Sequence, residues 1–327
     1  MIIDVHHHWM PRDAVENPER YLRAGQSITY EDGNRVRISE NGANLITFSK
    51  TRALLNKHVE DMDRSGVDLA LISIATWQDW TTKESAPLIN NEMHEAIQQY
   101  PDRFAGLAAV SPTEPGADEE LDRAVKDLGM KGVCITTNFH GQYPDEETYR
   151  PLFKKASQLR VPVFIHAAGT PGCNKDLLKF DMDRSLGRQY DHLLAVVRLL
   201  YSKYVKDFPN LVFHHGHYGG GFFLFQKRFL GGDSPNPDLH DKSYKKYLTS
   251  FRFDTAPAFW WGTKEFESAV NLIGSKLLLY GSDYPVGAPE QKKTKMGADI
   301  IRKSNISDSE QARILGANAA RIFNLKA

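Results

Sequence analysis

Cysteine is scarce: Cys134 and Cys173 are the two in a chain of 327 residues. A disulfide framework is therefore excluded as the organising device, and a reducing, cytoplasmic setting is expected. An excess of one charge is also missing, because 41 Lys and Arg balance 41 Asp and Glu with no basic stripe or acidic tail. That balance argues against nucleic acid or an anionic membrane as a partner. No apolar run approaches the ~20 residues that span a bilayer. Met1-Ile-Ile-Asp lacks the basic flank and apolar core of a secretory leader. Internal repeats, low-complexity tracts and linkers are absent as well, so one domain over residues 1–327 is expected. Gly219-Gly220-Gly221 carries no P-loop or dinucleotide pattern around it. Its expected job is close approach of the backbone.

What the chain does have is a repeated arrangement of apolar runs that stop at a chemical residue. The first is Ile2-Ile-Asp-Val-His6-His7-His8. Side chains alternate along a strand, so His6 and His8 share a face and His7 points to the other. An expression-tag remnant would not follow Ile-Ile-Asp-Val. Val161-Pro-Val-Phe-Ile-His166, Leu211-Val-Phe-His-His-Gly-His217 and Leu277-Leu-Leu-Tyr-Gly-Ser-Asp283 repeat the arrangement. A lone His after a strand is usually a satisfied polar end. Four such segments in one chain fit a barrel that keeps its site at the C-terminal ends of its strands.

Strands and helices alternate between these landmarks. Strands are predicted at 67–74, 104–110, 132–136 and 251–255 as well, with helices at 51–65, 86–99, 118–128, 148–159, 190–207, 265–273 and 307–323. Eight strand–helix units imply an α/β fold, a (β/α)8 TIM-type barrel. Ser27 to Ile38 alternates around Asp32-Gly33, which predicts a β-hairpin insertion after strand one, within about residues 10–50, lying over the barrel mouth.

On that scaffold His6, His8, His166 and Asp283 converge on one divalent ion. Three imidazoles and a carboxylate suit zinc, with manganese or iron as alternatives. His217 stands beside the ion as a general acid or base. Trp77 follows strand two and Trp260 follows strand seven, so both are candidates to line an aromatic pocket, although core packing explains most single tryptophans. Lys50, Arg52 and Arg228 are candidate carboxylate binders. Asp4 and Asp254 read as hydrogen-bond acceptors behind the ligands.

Several motifs together resemble the amidohydrolase superfamily, in the branch that contains aminocarboxymuconate-semialdehyde decarboxylase. They are Ile3-Asp-Val-His-His-His8, Glu60-Asp-Met-Asp-Arg-Ser-Gly-Val67, Tyr100-Pro-Asp-Arg-Phe-Ala-Gly-Leu107, Leu128-Gly-Met-Lys-Gly-Val-Cys-Ile135, His217-Tyr-Gly-Gly-Gly221 and Gly281-Ser-Asp-Tyr-Pro285. The resemblance runs over nearly the whole chain. It implies the barrel, the ligand set above and His217 as the histidine beside the metal-bound water. It also implies Arg228 as the carboxylate anchor and a homodimer.

Two departures stand out. Strand six offers His214, His215 and His217 where one histidine is needed; the spacing to the glycines favours His217, with His215 as the alternative. Thr136 and Thr137 stand where two-metal relatives place a bridging lysine, which favours one metal. The reaction expected is non-oxidative decarboxylation of a small unsaturated or aromatic carboxylic acid. Hydrolysis of a lactone, amide or carbon–carbon bond is the alternative, and dinuclear-metal oxygenation a lesser one.

Overall fold

The structure, a computed structural model, describes residues 1–31, 35–169, 177, 180, 182–230, 244–286 and 290–325. Among the described residues, twelve strands lie in this order: β1 (Ile3–His8), β2 (Gln26–Glu31), β3 (Arg35–Glu40), β4 (Ala43–Ser49), β5 (Leu69–Ser73), β6 (Phe104–Gly106), β7 (Ala108–Ala109), β8 (Val133–Thr136), β9 (Val163–His166), β10 (Phe213–His215), β11 (Phe251–Asp254) and β12 (Leu278–Leu279).

All but β2–β4 form a parallel ring. β1 pairs with β5 and β5 with β6; β7 pairs with β8, and the series β8-β9-β10-β11-β12 continues from it. β6 and β7 are one stave interrupted at Leu107, whose N–H still reaches the Ile72 carbonyl at 3.0 Å. The ring closes where Val5 N donates to Tyr280 O at 3.0 Å, Asp283 N to His6 O at 3.0 Å and His8 N to Tyr284 O at 2.8 Å. Eight staves with helices between them make a β/α barrel. Staves covered on both faces are apolar almost throughout, as in Val163-Phe-Ile and Leu278-Leu.

Two layers of core follow from this closure. Inside the barrel, Ile3, Val5, Leu71, Leu107, Phe164 and Leu279 form one cluster, joined by Phe323 from just past the helix Asn318–Ile322. Outside, the helices bury their apolar stripes against the staves. Helix Leu55–Ser65 buries Leu55, His58 and Met62 and stops at Gly66, whose φ of 74° is the left-handed conformation that ends helices. Helix Glu290–Lys303 has no counterpart in the sequence reading. Its buried positions are Thr294, Gly297, Ala298 and Ile301. Helical spacing is present there, but three of the four side chains are too small or polar to register as an apolar stripe.

The insertion after β1 is a three-stranded antiparallel sheet, β2-β3-β4. β2 and β3 pair from Gln26↔Glu40 to Glu31↔Arg35, and the Asp32-Gly33 turn between them lies outside the described residues. The third strand, Ala43–Ser49, lies within the insertion but beyond the two strands that the sequence predicts. It buries Leu45, Ile46 and Phe48. Cys134 is buried and unpaired; Cys173 lies outside the described residues. No helix of the described residues is long and apolar enough to cross a membrane.

Candidate metal centre

Ligand-type atoms of His6, His166, His217 and Asp283 all lie within 4.8 Å of one another, and all four residues are buried. They come from β1, the end of β9, the turn after β10 and the turn after β12, on the face of the barrel where the strands end. His8 belongs to the same cluster. Its Nε2 donates to Asp283 Oδ1 at 2.8 Å, and its ring lies 4.8 Å from those of His6 and His166. Five residues therefore surround one position. The sequence reading set His217 beside the ion and His8 among the ligands; the cluster includes His217 with the close donors and engages His8 with Asp283.

The ring nitrogens facing away from this position are held. His6 Nδ1 donates to Asp254 Oδ2 at 2.8 Å, His166 Nδ1 to Ala167 O at 2.9 Å and His217 Nδ1 to Ala256 O at 3.2 Å. Each bond fixes a tautomer and directs Nε2 at the centre. Nε2 of His166 is buried with no hydrogen-bond partner, and Nε2 of His6 is buried with only Asp283 Oδ1 near it, at 3.4 Å. A buried polar atom without a partner is costly, and a ring of such nitrogens with a carboxylate is the donor set that a divalent ion satisfies.

Protonation supports that fit. Burial pushes His8 down to about 3, lowers His217, and holds His166 well below the ordinary histidine range, the last with help from His8 and His6. Their lone pairs are therefore free at neutral pH. His6 differs. Burial alone would lower it, but Asp254 and Asp283 outweigh burial and bring it up to about 10. A proton on His6 thus stands between two carboxylates, in the place a cation would take.

Asp254 organises the rear of the centre. Its Oδ2 accepts from His6 Nδ1 and from His214 Nε2 at 2.9 Å, and its Oδ1 from the backbone N–H of His217 at 3.1 Å and Ala256 at 3.0 Å. Burial alone would raise this carboxyl; His6 and His214 outweigh it and hold it well below the usual carboxylate range. Asp4 clips β1 to the last stave, with Oδ1 accepting from Ser282 N at 2.9 Å and Oδ2 from Ser282 Oγ at 2.5 Å. His214 is accounted for by Asp254. His215 stacks on Phe251 at 5.7 Å, outside the cluster.

The turn that delivers His217 is left-handed over five residues, with φ of 54° at His217 and Tyr218 and 59°, 68° and 78° at Gly219, Gly220 and Gly221. A Cβ on Gly220 would land on the Gln189 carbonyl oxygen, and one on Gly219 would sit 2.8 Å from Phe253 Cε1. Glycine is needed both for the handedness and for the approach.

A cavity of about 730 Å³ opens over the centre. Leu45, Ile46 and Thr47 of the insertion and Trp260 and Trp261 wall it, with Arg52, Arg184 and Arg188. The size suits a small organic ligand. Three placements correct the sequence reading. Arg228 is exposed and absent from the described lining. Trp77 is 1% exposed and packs edge-on to Tyr21 and Phe48 and face-on to Trp80, in the core beneath the insertion. Arg52, passed over in favour of Arg228, lines the cavity. Trp260 does line it, and is 66% exposed. Arg188 was missed because it lies in a helix, Arg188–Tyr201, where arginines are ordinarily solvated.

A closed parallel barrel with histidines and an aspartate gathered at its strand ends defines a metal-dependent barrel enzyme. The chain belongs to the amidohydrolase family, whose model matches residues 3–325. It is 22% identical to 2-amino-3-carboxymuconate-6-semialdehyde decarboxylase of Dictyostelium discoideum, over 99% of this chain and 91% of that protein. It is 24% identical to gamma-resorcylate decarboxylase of a Rhizobium species, over 81% and 85%. Among solved structures, 5-carboxyvanillate decarboxylase of Sphingomonas paucimobilis superposes with a TM-score of 0.80 at 19% identity, covering 99% of each chain. A dihydroxybenzoic acid decarboxylase of Polaromonas, with bound manganese and 2-nitroresorcinol, gives 0.77 at 20% identity over 100% of this chain and 98% of that one.

Proposed function

We propose that the protein is a metal-dependent, non-oxidative decarboxylase of a small unsaturated or aromatic carboxylic acid, with one divalent ion held by His6, His8, His166 and Asp283 and with His217 beside it. The observation that carries this reading is Arg52. It is 6% exposed, lines the cavity beside His8 and Asp283, and makes no side-chain hydrogen bond or ion pair among the described residues. A nearly buried guanidinium without an acceptor is expensive, and a carboxylate is its natural bidentate partner. The activities in the names of the decarboxylase relatives agree.

When bound by these residues, a divalent ion would supply a Lewis acid for substrate oxygens. Arg52 holds the carboxylate at the inner end of the cavity. Trp260 and Trp261 offer flat faces to a conjugated framework. His217, its Nδ1–H fixed on Ala256 O, keeps Nε2 free at neutral pH; there it would take up a proton from solvent and pass it to carbon, a transfer that burial, by lowering its proton affinity, favours. The carbon–carbon bond to the carboxylate breaks, its electron pair stays with the carbon that takes the proton, and carbon dioxide leaves. Zinc is the ion expected from the donor set, with manganese as the alternative, and a homodimer is the expected assembly.

The test is release of carbon dioxide from a panel of unsaturated and aromatic acids under anaerobic conditions. Carbon dioxide formed without oxygen supports the reading. Label from 18O-water in a product carboxylate, with no carbon dioxide, would replace it with hydrolysis.

A further inference from the structure

Between the two ligand histidines of β1, His7 turns away from the cluster and toward helix Leu55–Ser65. Its Nδ1 donates to Asp4 Oδ2 at 3.1 Å, and its Nε2 lies 3.2 Å from Nδ1 of His58, so the two rings share one proton. His7 and His58 are both buried. Burial first, then His7 and Arg52, hold His58 well below the ordinary histidine range, while the backbone of Thr51 and of Arg52 acts the other way. Only an acceptor close to a ring favours a proton on it. His58 Nε2 meets no acceptor at full hydrogen-bond geometry, but the carbonyls of the turn that carries Arg52 are its near neighbours.

Tyr284, next to the ligand Asp283, grips the same helix. Its ring stacks on His7 at 4.3 Å and meets His58 edge-on at 5.0 Å, and its hydroxyl donates to Asp61 Oδ2 at 2.9 Å. The helix follows directly on the turn Lys50–Ala53, in which Arg52 O accepts from Met10 N at 3.4 Å. Neighbours of the ligands on the first and the last stave are thus joined to the turn that presents Arg52. Packing alone does not call for a histidine here. Leu55 and Met62 fill the same stripe of the helix, and a buried imidazole pair costs desolvation that an apolar side chain avoids. What the pair adds is direction, because a hydrogen bond constrains angle as well as distance.

We propose that His58 is a positioning residue: through His7 and Asp4 it registers the turn Lys50–Ala53 against β1, and so sets the Arg52 guanidinium beside the metal centre. This rests on the reading of Arg52 as the carboxylate anchor. His58 is absent from the described lining of the cavity, so its effect on a ligand passes through Arg52. β1 then serves both halves of the site. His6 and His8 on one face take the ion, and His7 on the other fixes where the arginine stands relative to it.

The experiment is a double-mutant cycle read by binding. The metal-loaded parent, His58→Phe, Arg52→Ala and the double variant are titrated with benzoate and with its neutral isostere benzamide, and the metal-free forms with the ion. Phenylalanine keeps a flat ring in the space and removes both nitrogens; His58→Leu takes its place should that variant not fold. Expected in His58→Phe is a loss of benzoate affinity of about three- to tenfold, the scale of coupling within one hydrogen-bonded network. Benzamide and metal affinity should stay within about twofold of the parent. In the Arg52→Ala background the same substitution should change benzoate affinity by less than about twofold. Equal losses for benzoate and benzamide, or a matching loss of metal affinity, would mark a general loosening and overturn the proposal. An undiminished effect in the Arg52→Ala background would overturn it too. Unchanged benzoate binding in His58→Phe, beside a loss in Arg52→Ala, overturns the role of His58 and leaves the anchor standing. Unchanged binding in Arg52→Ala overturns the anchor itself, and the role of His58 with it.

Discussion

At the scale of single residues, the centre is defined by which polar atoms lack partners. Nε2 of His166 and Nε of Arg52 are enclosed without a hydrogen-bond partner, and Nε2 of His6 has only Asp283 at 3.4 Å; the imidazoles point to a missing cation and the arginine to a missing anion. Arg52→Ala should therefore lower kcat/KM by about 10- to 100-fold, mostly through KM, since a charge-assisted pair contributes roughly 1.5–3 kcal/mol. Steady-state kinetics on an accepted acid would read this, and an unchanged KM would contradict it. His6 gives a second prediction. Its proton is held up to about 10 by Asp254 and Asp283, so at pH 7 the ion must displace it. Loading should release about one proton per ion at pH 7, and apparent affinity should rise with pH until about 10. Calorimetry in two buffers of different ionisation enthalpy counts that proton; a heat independent of buffer would contradict the assignment. The ligands themselves were legible in the sequence because each ends an apolar run. Arg188 and the true position of Trp77 were not, because chain order says which strand a residue follows and is silent on how far the following segment folds back over the mouth.

Among the elements, the turn from β10 into the segment His217–Leu230 is the most constrained. Five left-handed residues in succession are tolerated because three are glycine and because Asp254 accepts the N–H of His217. Gly220→Ala should be far more damaging than Gly221→Ala. At Gly221 an added Cβ meets Trp261 at an ordinary 3.6 Å, leaving mainly the cost of handedness, about 1–2 kcal/mol. At Gly220 the Gln189 carbonyl must move as well, and with it the helix that carries Arg188. Thermal unfolding with and without metal would rank the two variants; equal losses would mean that the turn relaxes more easily than the packing suggests. The staves were legible for the reason the ligands were, and helix Leu55–Ser65 because its apolar residues keep helical spacing. Strand β4 and helix Glu290–Lys303 were not. One hides Leu45, Ile46 and Phe48 among polar neighbours, and the other buries Thr294, Gly297 and Ala298 where a pattern of large apolar residues was sought.

For the whole molecule, the barrel interior and the metal centre share one wall. Phe164 belongs to the interior cluster that also holds Phe323, and its ring lies 5.1 Å from that of His6. Phe323→Ala should cost about 3–5 kcal/mol, the usual range for an emptied core phenylalanine site. Because the last helix packs against β1 and β12, which lead to His6, His8 and Asp283, the variant should also bind its ion more weakly than the parent. Denaturant unfolding and metal titration test the two halves of that statement separately. A variant with full stability would mean that the last helix can be peeled from the barrel without consequence.

The closing contacts of the ring carry a consequence for the order of events in a cell. Val5 waits for Tyr280, His6 for Asp283 and Ile3 for Phe323. During synthesis the first stave emerges from the ribosome with its triple histidine exposed, and its neighbour on one side is among the last segments to be translated. Closure of the barrel is thus what first brings the histidines of β1 to Asp283, so that the donor set exists only once the two ends of the barrel have folded together.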